Sequence, residues 1–149
     1  MITVGVSLRE LLERPVMLGD IRLGAPIDAV LGTDSLRVVG FEVQCADGGR
    51  RFLPLPAARI RADRLLVGSA LILLDESMRD FYRRGSATFS ALVGLPVERA
   101  GRPLGRLSDL VIAPDGMTES VRVRVNGSGE NSHPRAGLII RPARRAPAA

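Results

Sequence analysis

The sequence predicts an all-β protein made of two tandem small antiparallel β-barrels, the second of them shortened, joined by a short helix. Two observations predict this fold. Short apolar runs are separated by turn-forming glycines and prolines, and one run, Val121–Val125, alternates apolar and charged residues as a half-buried strand does. The same order of strands and turns then occurs twice, at a spacing of 81 residues.

The first copy opens with an extended segment and one helical turn. Met1–Val6 alternates like a strand, and Ser7 precedes Glu10 by the spacing of a capping box, so a short helix is expected there. The segment Val16–Leu31 predicts a strand, a turn and a second strand, and Val38–Val43 predicts the next strand. The first copy is therefore expected to be mainly antiparallel sheet.

The end of the first copy is less regular. Ala46–Gly49 is a hairpin signal, and Phe52–Pro56 carries two prolines that exclude it from a central strand and suit an edge strand ending in a turn. Arg64–Leu74 is the most apolar run, which predicts a buried strand bent at Gly68. Asp75–Arg84 predicts the connecting helix, because acids occupy its first turn and arginines its last.

The second copy is clearest between Leu92 and Gly116, which read as a strand, a tight turn, a second strand and another tight turn. Gly105 interrupts the second of these strands and predicts a bulge or a sharp bend. Pro114–Gly116 fits a β-turn with proline at its first corner. Asn126–Pro134 is rich in Asn, Gly and Ser and is predicted to be a flexible loop.

Turn residues and strand residues coincide when the chain is shifted by 81 positions. The residues predicted to form turns and bulges are Gly24, Asp28, Asp34, Gly105, Asp109, Asp115 and Gly116. After two insertions in the second copy, Phe52–Arg59 falls on Leu138–Arg145. A duplicated fold retains such positions, so we interpret the chain as a duplication.

The duplication divides the chain into units. Residues 1–74 are predicted to form the first barrel, 75–86 the helical connector, 87–145 the second, truncated barrel, and 146–149 a disordered tail. The second copy has no counterpart of Leu65–Leu74. The second barrel is therefore either open, completed by another segment, or completed by a neighbouring chain. An unpaired edge favours pairing with another strand, so we expect this edge to be covered, and a homodimer is one way to cover it.

The charge is unevenly distributed. All 21 basic residues are arginines, which is typical of a genome biased toward arginine codons, and the formal net charge is +5. Residues 81–149 hold 11 arginines and 5 acids, whereas residues 1–80 are nearly neutral. The arginines near the end of the chain are Arg135, Arg141, Arg144 and Arg145. They either contact nucleic acid or anionic lipid, or belong to a solvated tail.

No residue cluster specifies a reaction, and no catalytic, cofactor or metal site is predicted. His133 is the only histidine and Cys45 the only cysteine, so a zinc site is not expected and an internal disulfide is excluded. Asp28 and Asp109 are either two carboxylates that face one site or, as the repeat favours, acceptors for nearby turn backbone. Asp34 is interpreted as a turn residue, and so is its counterpart Asp115.

A set of motifs in the second copy resembles a known family. They are Leu92-Val93-Gly94, Pro96-Val97, Gly101, Leu104-Gly105-Arg106, Asp109, Pro114-Asp115-Gly116 and Val121–Val125. The pattern is similar to that of the PRC-barrel family. The first copy carries it more weakly, because Glu13 replaces a glycine and Pro26 interrupts the Gly-Arg-Leu stretch.

The resemblance implies a strongly bent antiparallel sheet that closes into a small barrel, present here twice. The family includes the cytoplasmic domain of the photosynthetic reaction centre H subunit and the C-terminal domain of the ribosome maturation factor RimM. Its members mostly act as protein-interaction modules. Neither specific function is implied here, because the matching motifs lie in the barrel alone.

The leading functional hypothesis is a non-enzymatic adaptor that binds a protein partner. The first alternative is an RNA- or ribosome-assembly-associated factor that uses the basic C-terminal half, and the second is a small-ligand-binding barrel. Phe81 and Tyr82 are predicted to pack in the core or to contact a partner. We expect a cytoplasmic protein without a signal peptide or a membrane-spanning segment.

Overall fold

The fold is known from a computed structural model that describes residues 5–69, 73, 85–126 and 129–141. Strands dominate these residues and form two sheets, one of them curled into a half-barrel, which confirms the all-β prediction. The strands are β1 (Val6–Ser7), β2 (Val16–Leu18), β3 (Ile21–Gly32), β4 (Val38–Cys45), β5 (Arg50–Pro54), β6 (Ala58–Ile60), β7 (Leu65–Val67), β8 (Ser86–Thr88), β9 (Pro96–Arg99), β10 (Arg102–Ile112), β11 (Thr118–Val125), β12 (Gly129–Pro134) and β13 (Leu138–Ile140). The helices are α1 (Leu8–Leu11) and α2 (Phe89–Leu92), and Leu55–Ala57 forms a 3-10 turn.

The first sheet has the strand order β5-β4-β3-β2-β7-β6, and β8 pairs with the end of β3. All of its pairs are antiparallel except that of β2 with β7. β5 lies at an edge and ends in the 3-10 turn, as its two prolines predict. β7 is shorter than the predicted strand over Arg64–Leu74: it ends at Val67, the chain bends at Gly68, and only Ser69 and Leu73 of the rest are described.

The second sheet has the strand order β12-β11-β10-β9-β13, and β1 pairs with β10. The loop predicted over Asn126–Pro134 is wrong for its second part, because Gly129–Pro134 forms β12 and pairs with β11 at six positions. The polar composition of that segment favours a loop, but pairing with the regular strand β11 outweighs local propensity.

The two halves share their strand pairing and their irregularities. The β3–β4 ladder shifts register between Pro26 and Asp28, and the β10–β11 ladder shifts between Leu107 and Asp109, 81 residues later. The β3–β4 ladder shifts register a second time between Val30 and Leu31, and the β10–β11 ladder does so at the matching positions, Val111 and Ile112. Bulges rarely recur at equivalent positions by chance, so the structure contains the repeat that the sequence indicates.

The last segment of the sequence alignment does not occupy equivalent positions in the two sheets. Phe52 pairs with β4, whereas Leu138, which the alignment puts on Phe52, pairs with Arg99 of β9. The correspondence of Phe52–Arg59 with Leu138–Arg145 is therefore wrong. β5 lies beside β4 as β12 lies beside β11, so β5 corresponds to β12. In the same way β13 lies beside β9 as β7 lies beside β2, but β13 is antiparallel to its neighbour whereas β7 is parallel.

The first strand of each half lies in the sheet of the other half. β1 pairs with β10, where Ser7 is opposite Val111, and β8 pairs with β3, where Thr88 is opposite Val30. The two exchanges are equivalent, because both partners of the second pair lie 81 positions from those of the first. The unit boundaries given above stay predictions. The pairs that β1 and β8 form join strands from different predicted units.

One hydrophobic cluster joins both halves. Its buried members include Leu8, Phe41 and Leu53 from the first half and Leu107, Leu110 and Val123 from the second. The turn after β10 also contacts the first half, since Val38 N donates to Gly116 O at 2.9 Å. Burial of each such side chain contributes about 1.5–3 kcal/mol, so separating the halves would expose much of the core of each.

Candidate functional site

Asp109 joins the second half to the first helical turn of the chain. Its side chain is fully buried and accepts hydrogen bonds from Arg9 N at 2.9 Å, from Leu110 N at 2.8 Å and from Ser7 Oγ. Arg122 Nη1 lies 3.6 Å from Asp109 Oδ2. Ser7 in turn accepts from Glu10 N at 3.2 Å, which confirms the predicted helix cap.

Asp28, which lies in the first half, makes the equivalent contact to the short helix α2 of the second half. Its carboxylate accepts from Ser90 N at 3.1 Å, from Ser90 Oγ, and from Ala29 N at 2.9 Å. Thr88 caps α2 through Ala91 N at 3.3 Å, as Ser7 caps α1. Each aspartate therefore accepts the second amide of the short helix that belongs to the other half. This geometry matches a structural role, with donors about half the chain away rather than in a nearby turn.

The other predicted turn residues lie in turns or at close approaches between strands. Gly105 has φ of +135°, and a Cβ there would lie 2.5 Å from Arg124 O, so a larger residue does not fit. Asp115 Oδ1 accepts from Met117 N at 3.0 Å and closes the turn that contains Gly116. Gly24 lies against the backbone of Gln44.

A groove on the described surface follows β13, and we call it the edge groove. Its volume is about 710 Å³. Its walls come from β13, from α2 with Leu95, and from the turn after β3. The residues that line it are Thr33, Asp34, Leu36, Ala87, Ala91, Leu92, Leu95, Arg135, Gly137, Leu138, Ile139 and Ile140. Most of these side chains are apolar, and Ile139 is 53% exposed.

β13 is the last strand of its sheet, and its hydrogen bonds show which backbone groups face outward. Arg141 N donates to Pro96 O at 2.9 Å, so position 141 belongs to a hydrogen-bonded pair with β9. In an antiparallel ladder such pairs alternate with pairs that make no bonds. Ile139 therefore bonds to β9, whereas the amide and carbonyl groups of Leu138 and Ile140 point away from it.

Most of the outward groups of β13 have no partner among the described residues. Leu138 N donates to Arg135 O at 3.1 Å within the preceding turn. The carbonyl of Leu138 and both backbone groups of Ile140 have no backbone partner within the part of the chain that the structure describes. An edge of this kind is a template for pairing with another strand.

Among the described residues, Arg135 is the one cation that lines the edge groove. Its Nε is buried and has no hydrogen-bond acceptor, while its Nη2 donates to the carbonyl of Asp34 at 3.4 Å. No acid in the described part of the chain forms an ion pair with it. Leaving a buried donor unpaired costs about 1–3 kcal/mol, so an acceptor in the groove would be stabilised there.

A second groove of about 570 Å³ lies where the two halves meet, and we call it the junction groove. Ile27 and Val93 line it and are 42% and 43% exposed. Its cationic side chains are Arg9, Arg106 and Arg124. Glu130 lies 3.8 Å from the first of these and 3.9 Å from the last, which neutralises part of their charge.

The arginines predicted to contact a partner are only partly described. Arg141 Nη2 donates to Glu98 Oε1 at 2.7 Å. This hydrogen bond lowers the pKa of Glu98 and raises that of Arg141, so Arg141 is already paired. Phe81, Tyr82, Arg144 and Arg145 lie outside the described residues, as does nearly all of the connector predicted over 75–86.

The residues considered for chemistry lie apart. His133 is in β12 opposite Val121, and Cys45 is buried at the end of β4, where desolvation raises the pKa of its thiol. Within residues 5–69, 73, 85–126 and 129–141, no three His, Cys, Asp or Glu side chains are grouped as metal ligands. No helix in the same residues is both long and apolar enough to cross a membrane.

Comparison with known proteins does not assign the chain to a family. No protein-family model matches the chain, and no curated protein matches it. Arg135 and Ile139 line the edge groove. The charge distribution included Arg135 only as one of several arginines near the end of the chain, and Ile139 was missed. The apolar run Leu138–Ile140 was the available signal, but we placed it opposite Phe52 in the repeat instead of at a free edge.

Proposed function

We propose that the protein is a non-enzymatic adaptor whose edge groove binds a protein partner. The observation that carries the proposal is the apolar surface along β13, where Ile139 is 53% exposed beside Leu92 and Leu95. Apolar side chains along an open groove can be buried by a partner, and their burial contributes about 25 cal/mol per Å². The two halves provide a rigid frame for that surface through their shared core.

We further propose that both halves derive from one PRC-barrel-like unit. The equivalent bulges near Asp28 and Asp109 support a common origin, and so does the equivalent exchange of β1 and β8. The interaction modules of that family are consistent with an adaptor. The family assignment itself rests on the motifs of the second half.

The adaptor proposal is tested with two matched variants. Ile139→Asp places a charge in the edge groove, and Ile21→Asp places one at a residue that is 62% exposed and lines none of the grooves described above. Each protein, immobilised, is incubated with an extract of the cells that produce it, and retained proteins are quantified by mass spectrometry. We expect one or more proteins to be retained by the wild type and by Ile21→Asp but lost with Ile139→Asp. Identical retention by all three proteins would contradict the proposal.

RNA binding at the junction groove is the second candidate function. It is supported by Arg9, Arg106 and Arg124, which line this groove together with the exposed apolar residues Ile27 and Val93. Phosphate contacts make affinity fall steeply with salt, with a slope of about −0.7 per contact for a single strand. Filter binding of total RNA at several salt concentrations is the test. Affinity that is absent at low salt, or that Arg106→Gln/Arg124→Gln leaves unchanged, would reject it.

A further inference from the structure

We propose that the edge groove binds an extended peptide segment, which adds to β13 as a further strand and places an acidic side chain on Arg135. This inference rests on the proposed adaptor function and names the chemistry of the partner. Three features of the described surface carry it: free backbone groups, apolar walls, and a cation that lacks an acceptor.

The backbone of β13 offers a place for an added strand. The carbonyl of Leu138 and the amide and carbonyl of Ile140 point away from β9 and into the groove. A peptide laid along this edge forms main-chain hydrogen bonds with them, which is the recognition mode called β-strand addition. Main-chain bonds give affinity without specifying side chains, so specificity comes from the walls of the groove.

The walls select apolar side chains. Alternate residues of an added strand point to the same face, so every second side chain of the peptide lies against Ala91, Leu92 and Leu95. Leu36 from the first half closes the groove on the same side. A peptide with β-branched or leucine side chains at every second position fits these walls.

The charge of the groove selects a carboxylate. Arg135 Nε is buried without an acceptor, and the guanidinium group makes one long hydrogen bond, to the carbonyl of Asp34. Asp34 also lines the groove, but its side chain forms no ion pair with Arg135. A glutamate or aspartate of the peptide can accept from the Nη atoms of this guanidinium, whose fork of donors matches the two oxygens of a carboxylate.

The occupant is identified with a display library of random ten-residue peptides, selected on the full-length protein. We expect the enriched peptides to carry apolar residues at alternate positions and one acidic residue. The most enriched sequence is then synthesised with a fluorophore, and its dissociation constant is measured by fluorescence anisotropy. Selection that enriches no common pattern would overturn the inference.

Strand addition is tested with Ile140→Pro and its matched control Ile140→Ala. Both variants remove the isoleucine side chain, but only proline removes the amide that faces the groove, and that amide makes no bond to β9. We expect the proline variant to bind at least about tenfold more weakly than the alanine variant, as the loss of one main-chain hydrogen bond predicts. Equal affinities would overturn strand addition. If the proline variant does not fold, N-methylation of the peptide at each position in turn supplies the same test.

The acidic contact is tested with Arg135→Gln and a peptide in which glutamine replaces the acidic residue. We expect each change alone to weaken binding about tenfold and the two together to weaken it little further, the signature of a direct contact in a double-mutant cycle. Additive losses would show that the acid does not contact Arg135.

Two outcomes assign the groove to another occupant and reject the peptide. One is a homodimer in sedimentation velocity that Ile139→Asp dissociates, and the other is a small molecule that copurifies with the wild type and is absent from Ile139→Asp. The adaptor proposal is judged separately. A cellular partner that Ile139→Asp loses and that Ile140→Pro retains as well as Ile140→Ala would leave the adaptor function standing and remove strand addition.

Discussion

The two halves of the molecule are alike where they hold each other and differ where they end. Both have the same bulges, the same short capped helix and the same aspartate contact to the other half. Beyond β2 the first sheet continues with β7 and β6, whereas beyond β9 the second sheet ends at β13. The shared features stabilise the fold, and the unmatched edge of the second half is where we propose that a partner binds.

The aspartate contacts also differ in their surroundings. Asp109 is fully buried and lies opposite Arg122 in the ladder, whereas Asp28 is half-buried and lies opposite Glu42. Opposite charges across a ladder stabilise and like charges destabilise. The two contacts therefore share a geometry but are expected to contribute unequally to stability.

The largest expected effect is that of Asp109→Ala. The substitution leaves Arg9 N, Leu110 N and the Ser7 hydroxyl without their acceptor, and leaves Arg122 without its partner. Each buried donor left without its acceptor costs about 1–3 kcal/mol, so we expect the free energy of unfolding to fall by about 3–5 kcal/mol in all. Urea denaturation followed by circular dichroism measures it. A loss no greater than that of Asp28→Ala would contradict the difference between the two contacts.

Asp28→Ala is expected to have a smaller effect in the same assay. The substitution removes the acceptor of Ser90 N, but water can replace it at this half-buried position. The loss should be about 1–2 kcal/mol, the range for helix-capping side chains. Asp28→Asn, which keeps one acceptor oxygen, serves as the control and should recover part of the loss.

The ion pair between Glu98 and Arg141 is expected to have the smallest effect. Its hydrogen bond lowers the pKa of Glu98 in the folded state, so its contribution exists above the unfolded pKa and is lost as the pH falls through the folded pKa. Glu98→Gln should therefore be slightly less stable than the wild type at pH 7 and equal to it at low pH, because exposed pairs contribute little. Thermal unfolding at both pH values checks this, and a difference that persists in acid would contradict it.

Local patterns predicted much of the fold and little of the site. The cap at Ser7, the bend at Gly105 and the strand over Val121–Val125 follow from spacing and backbone geometry within a few residues. The exchange of β1 and β8 does not, because each pairs with a strand far away in the chain and no local signal distinguishes one sheet from the other.

The edge groove was beyond local reasoning for the same reason. Arg135 and Ile139 contribute to it only because β13 returns to β9, while Leu36 comes from the other half. β12 was missed because its glycine and polar residues have low strand propensity, which pairing with β11 overrides. The charge pattern includes Arg135 among the arginines near the end of the chain, but it does not distinguish this residue from the others.

Amide hydrogen exchange at two adjacent residues of β13 tests the central claim most directly. In the free protein the amide of Ile139, which bonds to β9, should exchange slowly, and the amide of Ile140, which faces the edge groove, should exchange fast. Addition of the selected peptide should slow the exchange of Ile140 to that of its neighbour. An Ile140 amide that is already as protected as that of Ile139 in the free protein would contradict an edge open to a partner.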